Sequence, residues 1–258
     1  MTPMTTEGCD VRTAIVAGVM TLTAATAMGA EVKVLSAGAV EPGLQKAAEL
    51  FQKSSGHVVS IQFNTAPQIA KRMADGYVAD ILIAPPGGLR QYAEQGKIAS
   101  DGYVSLGKVG AGVAVRPDAP VPEIQTRDAL KAAVLKADTL VYNTASTGLY
   151  LERMFDTLGV GDQLKAKTTR YPSGEAVMEH VVAGKGAEIG FGAITEIKMY
   201  EAKGTLKLVG PLPADLQNYT SYSAALMSNA PSPEVAKAFM AFLGTPAAKE
   251  AFVGAGVE

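Results

Sequence analysis

Twice along this chain, an alternation of short apolar runs and amphipathic helical stretches breaks into a long extended segment without a helix signal. The breaks fall at Tyr103–Arg116 and Tyr219–Ser228. Before the first break, Val32–Ala37, His57–Phe63 (with Val59, Ile61 and Phe63 alternating) and Ile81–Ala84 read as strands. Between the first two, Pro42–Lys53 places Leu44, Ala47, Ala48 and Phe51 on one helix face, and Ser54-Ser55-Gly56 ends it. Pro67–Asp75 is a helix opened by proline in its first turn and closed at Gly76, and Leu89–Gln95 is a third helix behind Pro85-Pro86-Gly87-Gly88. A βαβαβα order needs crossover helices, which predicts a parallel sheet covered on both faces.

A second block repeats the pattern. Helices are expected at Thr126–Lys136, Gly148–Leu158, Ser173–Ala183 and Thr195–Ala202, with strands at Leu140–Asn143, Ile189–Ile194 and Thr205–Val209. After the second break, Ser232 is placed to cap a helix that Pro233 starts, with Val235, Ala238, Phe239, Phe242 and Leu243 as its apolar stripe. Two α/β blocks joined by two extended crossings predict two lobes. Lobe one is expected at 31–112 plus 222–258, and lobe two at 113–221.

Composition narrows the function classes. The chain has 258 residues, with 23 Lys+Arg against 25 Asp+Glu and 48% hydrophobic residues, which excludes a disordered chain. No basic run accompanies the near-zero net charge, so a nucleic-acid partner is not expected. The single cysteine, Cys9, has no internal partner, and no Cys/His spacing reads as a metal site. No P-loop or dinucleotide fingerprint is present, so no cofactor is expected.

Residues 14–30 are apolar, small and uncharged, and end in Ala25, Ala27, Gly29 and Ala30. The run is shorter than the roughly 20 residues a membrane span needs. Residues 1–30 are therefore expected to be a secretory signal peptide, preceded by Glu7, Asp10 and Arg12 rather than a basic cluster. Cleavage there would leave a periplasmic chain without cysteine, suited to an oxidising compartment.

Three polar loops fall where a strand hands over to a helix: Ser36-Ala37-Gly38-Ala39, Asn64-Thr65-Ala66-Pro67-Gln68 and Asn143–Gly148. In open α/β sheets, ligands sit at the carboxyl ends of strands. The helix N-termini there offer free N–H groups and a partial positive charge, so they hold anions without any cationic side chain. The expected ligand-binding residues are Ser36, Ala37, Gly38, Ala39, Asn64, Thr65, Ser146, Thr147, Gly148, Ser173, Gly174 and Glu175, with Arg170 as a bidentate carboxylate anchor. His180 borders the apolar stripe of Val177 and Val181 and reads as structural; Ser146 and Ser173 lack a hydrolase pattern.

The opening residues 34–85, from Val34-Leu35-Ser36-Ala37-Gly38 through Gln68-Ile69 and Asp80 to Pro85, resemble the periplasmic molybdate-binding proteins of ABC transporters. Gly148–Val160, Glu175–Glu196 and Thr245–Phe252 are similar to the same family, and the resemblance spans 31–258. It implies a type II periplasmic binding protein fold and an extracytoplasmic solute-binding protein. Such a protein would close on a small anion, organic acid or oxyanion, and deliver it, as a monomer, to ABC transporter membrane subunits. The family's two serine ligands align with Ala39 and Ala66, and its lobe-two tyrosine with Ala193. Alanine donates no hydrogen bond, which favours a small organic acid over molybdate. The alternative is an isomerase of the aconitate type on the same scaffold, with His180, Glu175, Tyr150 or Tyr222 as the base and Arg170 as the anchor.

Overall fold

The computed structural model describes Met1 and residues 29–258, so Cys9 and the apolar run up to residue 28 lie outside the described residues. The elements in chain order are β1 (Glu31–Ala37), α1 (Glu41–Ser55), β2 (Val58–Asn64), α2 (Ala66–Ala74), β3 (Ile81–Ala84), α3 (Pro86–Glu94) and β4 (Val104–Val115). They continue with α4 (Arg127–Lys136), β5 (Thr139–Asn143), α5 (Ser146–Thr157), α6 (Gly161–Leu164), β6 (Thr168–Tyr171), α7 (Gly174–Ala183) and β7 (Glu188–Ala193). The chain then forms α8 (Ile194–Ala202), β8 (Lys207–Pro211), β9 (Tyr219–Leu226), α9 (Pro233–Leu243) and α10 (Pro246–Gly254).

Strands follow the order β2-β1-β3-β9-β4-β7-β5-β6, with β8 paired to β4. The triples β2-β1-β3 and β6-β5-β7 are parallel, while β9, β4 and β8 run antiparallel to their neighbours. This is the two-lobed, mixed α/β architecture expected, with four parallel and four antiparallel strand pairings. The long strand β4 belongs to both lobes. Residues 104–110 pair with β9, whereas 111–115 pair with β7 and β8.

The return crossing lies beside this switch point. Ala111 N–H donates to Gln217 Oε1 at 3.0 Å, and Gln217 Nε2 donates to the Ala111 carbonyl at 3.0 Å. One side-chain amide thus imitates a ladder partner where the two inter-lobe segments meet.

Each lobe has its own apolar core. In lobe one, Val34, Leu35, Leu44, Ile81 and Leu82 pack with Phe239 and Phe252 of the last two helices. Phe51 meets Phe239 and Phe242 with ring centroids 5.0 and 5.5 Å apart, so the C-terminal stripe closes over α1. In lobe two, side-chain alternation along β5 feeds two cores. Leu140 and Tyr142 join Phe155 and Phe191 on one face, and Val141 joins Val177, Met178 and Ile197 on the other.

Several local readings change. Ser232 is the N-cap residue of α9, yet its side chain makes no cap bond. Its N–H instead donates to Asp80 Oδ1 at 2.5 Å, and the other carboxylate oxygen of this fully buried aspartate accepts from Lys33 N–H at 2.8 Å. A negative charge at the start of α9 favours the helix dipole. β6 carries no strand signal in the sequence, because its four residues are half-buried and show no alternation. Pro86 belongs to α3 rather than to its preceding loop, as the proline-tolerant first turn allows.

Candidate functional site

Six strand ends converge on one cleft of about 620 Å³ between the lobes. β1, β2 and β3 deliver Ala37–Ala39, Asn64–Ala66 and Ala84–Pro85 from lobe one; β5, β6 and β7 deliver Asn143 with Ala145–Thr147, Ser173–Glu175 and Ala193 from lobe two. Their following helices aim N-termini at the same space, where first-turn N–H groups and helix dipoles favour a negatively charged group.

The loops are shaped by local polar chemistry. Ala145 stands at the N-cap of α5 and has no side-chain oxygen, so Asn143 takes over. Its Oδ1 accepts from Ala145 N–H at 3.0 Å and from Gly148 N–H at 3.1 Å. Ser173 caps α7 by accepting from Ala176 N–H at 3.2 Å. Gln68 Oε1 accepts from Thr65 N–H at 2.8 Å at the start of α2. Asn64 Oδ1 is buried in the protein without a hydrogen-bond partner.

Of the residues expected from sequence, Ala37, Gly38, Ala39, Asn64, Thr65, Ser146, Thr147, Ser173, Gly174 and Glu175 line the cleft. Three others sit behind it. Ser36 is fully buried and donates to the Ala37 carbonyl at 3.1 Å. Gly148 is packed so closely that an added Cβ would lie 1.7 Å from the Asn143 carbonyl oxygen. Arg170 pairs with Glu152 and stacks 5.5 Å over the Tyr142 ring, which engages the guanidinium away from the cleft lining. The candidate bases divide likewise. Tyr150 donates to the Leu216 carbonyl at 2.7 Å and His180 Nδ1 lies 2.8 Å from the Tyr171 hydroxyl; neither lines the cleft, whereas Glu175 and Tyr222 do.

Sequence reasoning missed Glu196, Glu41, Gln91 and Lys203, all of which line the cleft. Glu196 occupies the first turn of α8, three residues after the N-cap residue Ala193, whose N–H favours its ionised form. Its neighbour Thr195 donates to the Ala39 carbonyl of lobe one at 2.6 Å. The carboxyl fills space that only glycines leave free. An added Cβ on Gly174 would fall 2.2 Å from Oε2, and one on Gly38 would fall 3.4 Å from Oε1. Burial strips its water and pushes its pKa up to about 7; the negative charge of Glu41 adds to the shift, and the Ala193 N–H opposes it. Burial, and then the charge of Glu175, also raises Glu41, while Gln45 and Lys203 counteract. Burial, and then the charge of Glu196, raises the Tyr222 hydroxyl. An acidic residue following a strand end was the one available signal for Glu196, and it reads equally well as an ordinary first-turn acid.

Two lobes, two crossings at Ala111 and Gln217, and one cleft fed by six strand ends define a type II periplasmic binding architecture. The chain belongs to the family of bacterial extracellular solute-binding proteins, whose profile matches residues 32–258. The periplasmic molybdate-binding protein of Azotobacter vinelandii shares the fold at a TM-score of 0.74 and 19% identity, over 88% of this chain and 98% of that one. The sulfate-binding protein of Mycobacterium tuberculosis H37Rv is similar at a TM-score of 0.71 and 18% identity, over 88% and 86% of the two chains. An aconitate isomerase from a Pseudomonas species is 30% identical over 231 residues, 87% of this chain and 86% of its own length.

Proposed function

We propose that this protein is an extracytoplasmic solute-binding protein that captures a small organic acid between its lobes for an ABC transporter. The cleft carries the reading: helix N-termini from both lobes face one enclosed space, so a ligand touching both favours the closed arrangement. The proposed division is lobe one at 31–112 plus 222–258 and lobe two at 113–221, with residues 1–30 as a signal for export to the periplasm. The proposed contacts are the ten cleft-lining residues expected from sequence. Ala39 and Ala66 line the cleft where a tetrahedral dianion would need hydroxyl donors, while Asn64, Gln68 and Gln91 offer amides suited to a planar carboxylate. The working form is proposed to be a monomer that docks on transporter membrane subunits. A thermal-shift panel of organic acids and oxyanions tests this: a ligand at 100 times its Kd adds about 2.7 kcal/mol. A panel in which only molybdate or tungstate stabilises the protein refutes the organic-acid assignment.

A second reading, an isomerase acting by proton shift, is favoured by the aconitate isomerase relative together with Glu196. A carboxyl poised near neutrality in a closed cleft is suited to take up and return a proton. Interconversion of cis- and trans-aconitate at catalytic protein levels supports this second reading.

A further inference from the structure

The cleft holds Glu41, Glu175 and Glu196 against the single lysine Lys203 among its described lining residues. Three ionised carboxylates around an anionic ligand would repel it. The geometry of Glu196 offers a way out. Its carboxyl lies between Gly174 at the start of α7 in lobe two and Gly38 after β1 in lobe one, at the seam a ligand must bridge. The Ala193 N–H is the group that favours its ionised form. No ion pair within bonding distance reaches Glu196 among the described residues. The ionisable groups around it are Glu41 from α1, Glu175 from α7, Tyr222 from β9, and Tyr200 and Lys203 from α8. Glu41 disfavours the charged form of Glu196 directly.

We propose that Glu196 acts as a protonated carboxylic acid that donates a hydrogen bond to a carboxylate of the bound ligand, so that capture takes up one proton. The proposal rests on the organic-acid reading and makes it specific: the ligand presents at least one carboxylate to the Glu196–Gly174–Gly38 corner. A neutral acid there contributes a donor where an ionised one would contribute repulsion. The bound carboxylate in turn favours the neutral acid and raises its affinity for the proton.

The experiment is calorimetric titration of the purified full-length protein with trans-aconitate at pH 6 and pH 8. With a free-state pKa of about 7, the protonated fraction falls about tenfold between those values, and affinity should fall by the same factor. E196Q keeps a carbonyl for the Ala193 N–H and a permanent N–H donor for the ligand, so it should bind nearly equally at both pH values. E196A should bind weakly at both. The ligand's own ionisation acts on wild type and E196Q alike, and a merely structural role would leave their pH profiles parallel. Equal wild-type affinity at pH 6 and 8, or an E196Q profile parallel to wild type, overturns the proposal. Molybdate run in parallel separates the two claims. Tight molybdate binding without trans-aconitate binding overturns both the carboxylate donor role and the organic-acid assignment, yet leaves a solute-binding protein. Trans-aconitate binding that is independent of Glu196 overturns the donor role alone.

Discussion

The Thr195 hydroxyl of lobe two donates to the Ala39 carbonyl of lobe one at 2.6 Å. The bond spans the cleft beside Glu196, and Thr195 is fully buried. Separation of the lobes at this seam would break the bond and return both partners to water. The substitution T195V should therefore act mainly on the open–closed balance. A net hydrogen bond contributes about 0.5–1.5 kcal/mol, which corresponds to a shift of roughly two- to tenfold toward the open form. Small-angle scattering should show a larger radius of gyration for free T195V, with little change in the global denaturation midpoint. An unchanged radius with a markedly lower midpoint would place the bond in folding rather than in closure.

Glu196 should leave a signature in stability without any ligand. Its folded-state pKa of about 7 exceeds its unfolded value of about 4.5. The folded state therefore holds the proton more tightly, and the contribution is fully present below pH 4.5 and lost as pH rises through 7. The difference amounts to about 3 kcal/mol at most. Wild type should lose stability across this window relative to E196Q, whose amide does not titrate. Chemical denaturation at pH 5, 6, 7 and 8 measures it, and superimposable pH profiles would show that Glu196 is ionised in the fold.

Gly148 separates a site residue from a folding residue. It was expected in the ligand-binding loop, yet a Cβ there would meet the Asn143 carbonyl oxygen at 1.7 Å. G148A should lower stability by about 1–3 kcal/mol, as overpacking of a close-packed contact does. T147A, at a residue lining the cleft beside it, should lower ligand affinity with stability nearly unchanged. Urea midpoints of the two variants decide this; equal stability of G148A and wild type would refute the packing role.

The legible part of this molecule was its periodicity. The alternation His57–Phe63, the Leu44/Phe51 helix face and the two extended breaks all carry strong local signals, and they correspond to β2, α1, β4 and β9. Small polar strand-end loops located most of the cleft, because helix N-termini follow from element order alone. Residues whose role depends on distant partners were not legible. Arg170 looked free in sequence, but Glu152, eighteen positions earlier, lies within reach across α5 and β6. Ser232 looked like a cap, but Asp80, 152 positions away, satisfies its N–H instead. Glu196 looked like a first-turn acid, and only the glycines of two other loops show how enclosed it is.

A solute-binding protein captures its small organic acid in the cleft and releases it unchanged. Proton NMR of trans-aconitate tests it most directly, with the purified protein added first at equimolar and then at catalytic concentration. Saturable broadening of the ligand resonances is expected at equimolar protein, with an unchanged isomer at every concentration. Accumulation of the cis isomer at catalytic protein levels would contradict it and identify the protein as an enzyme on a solute-binding scaffold.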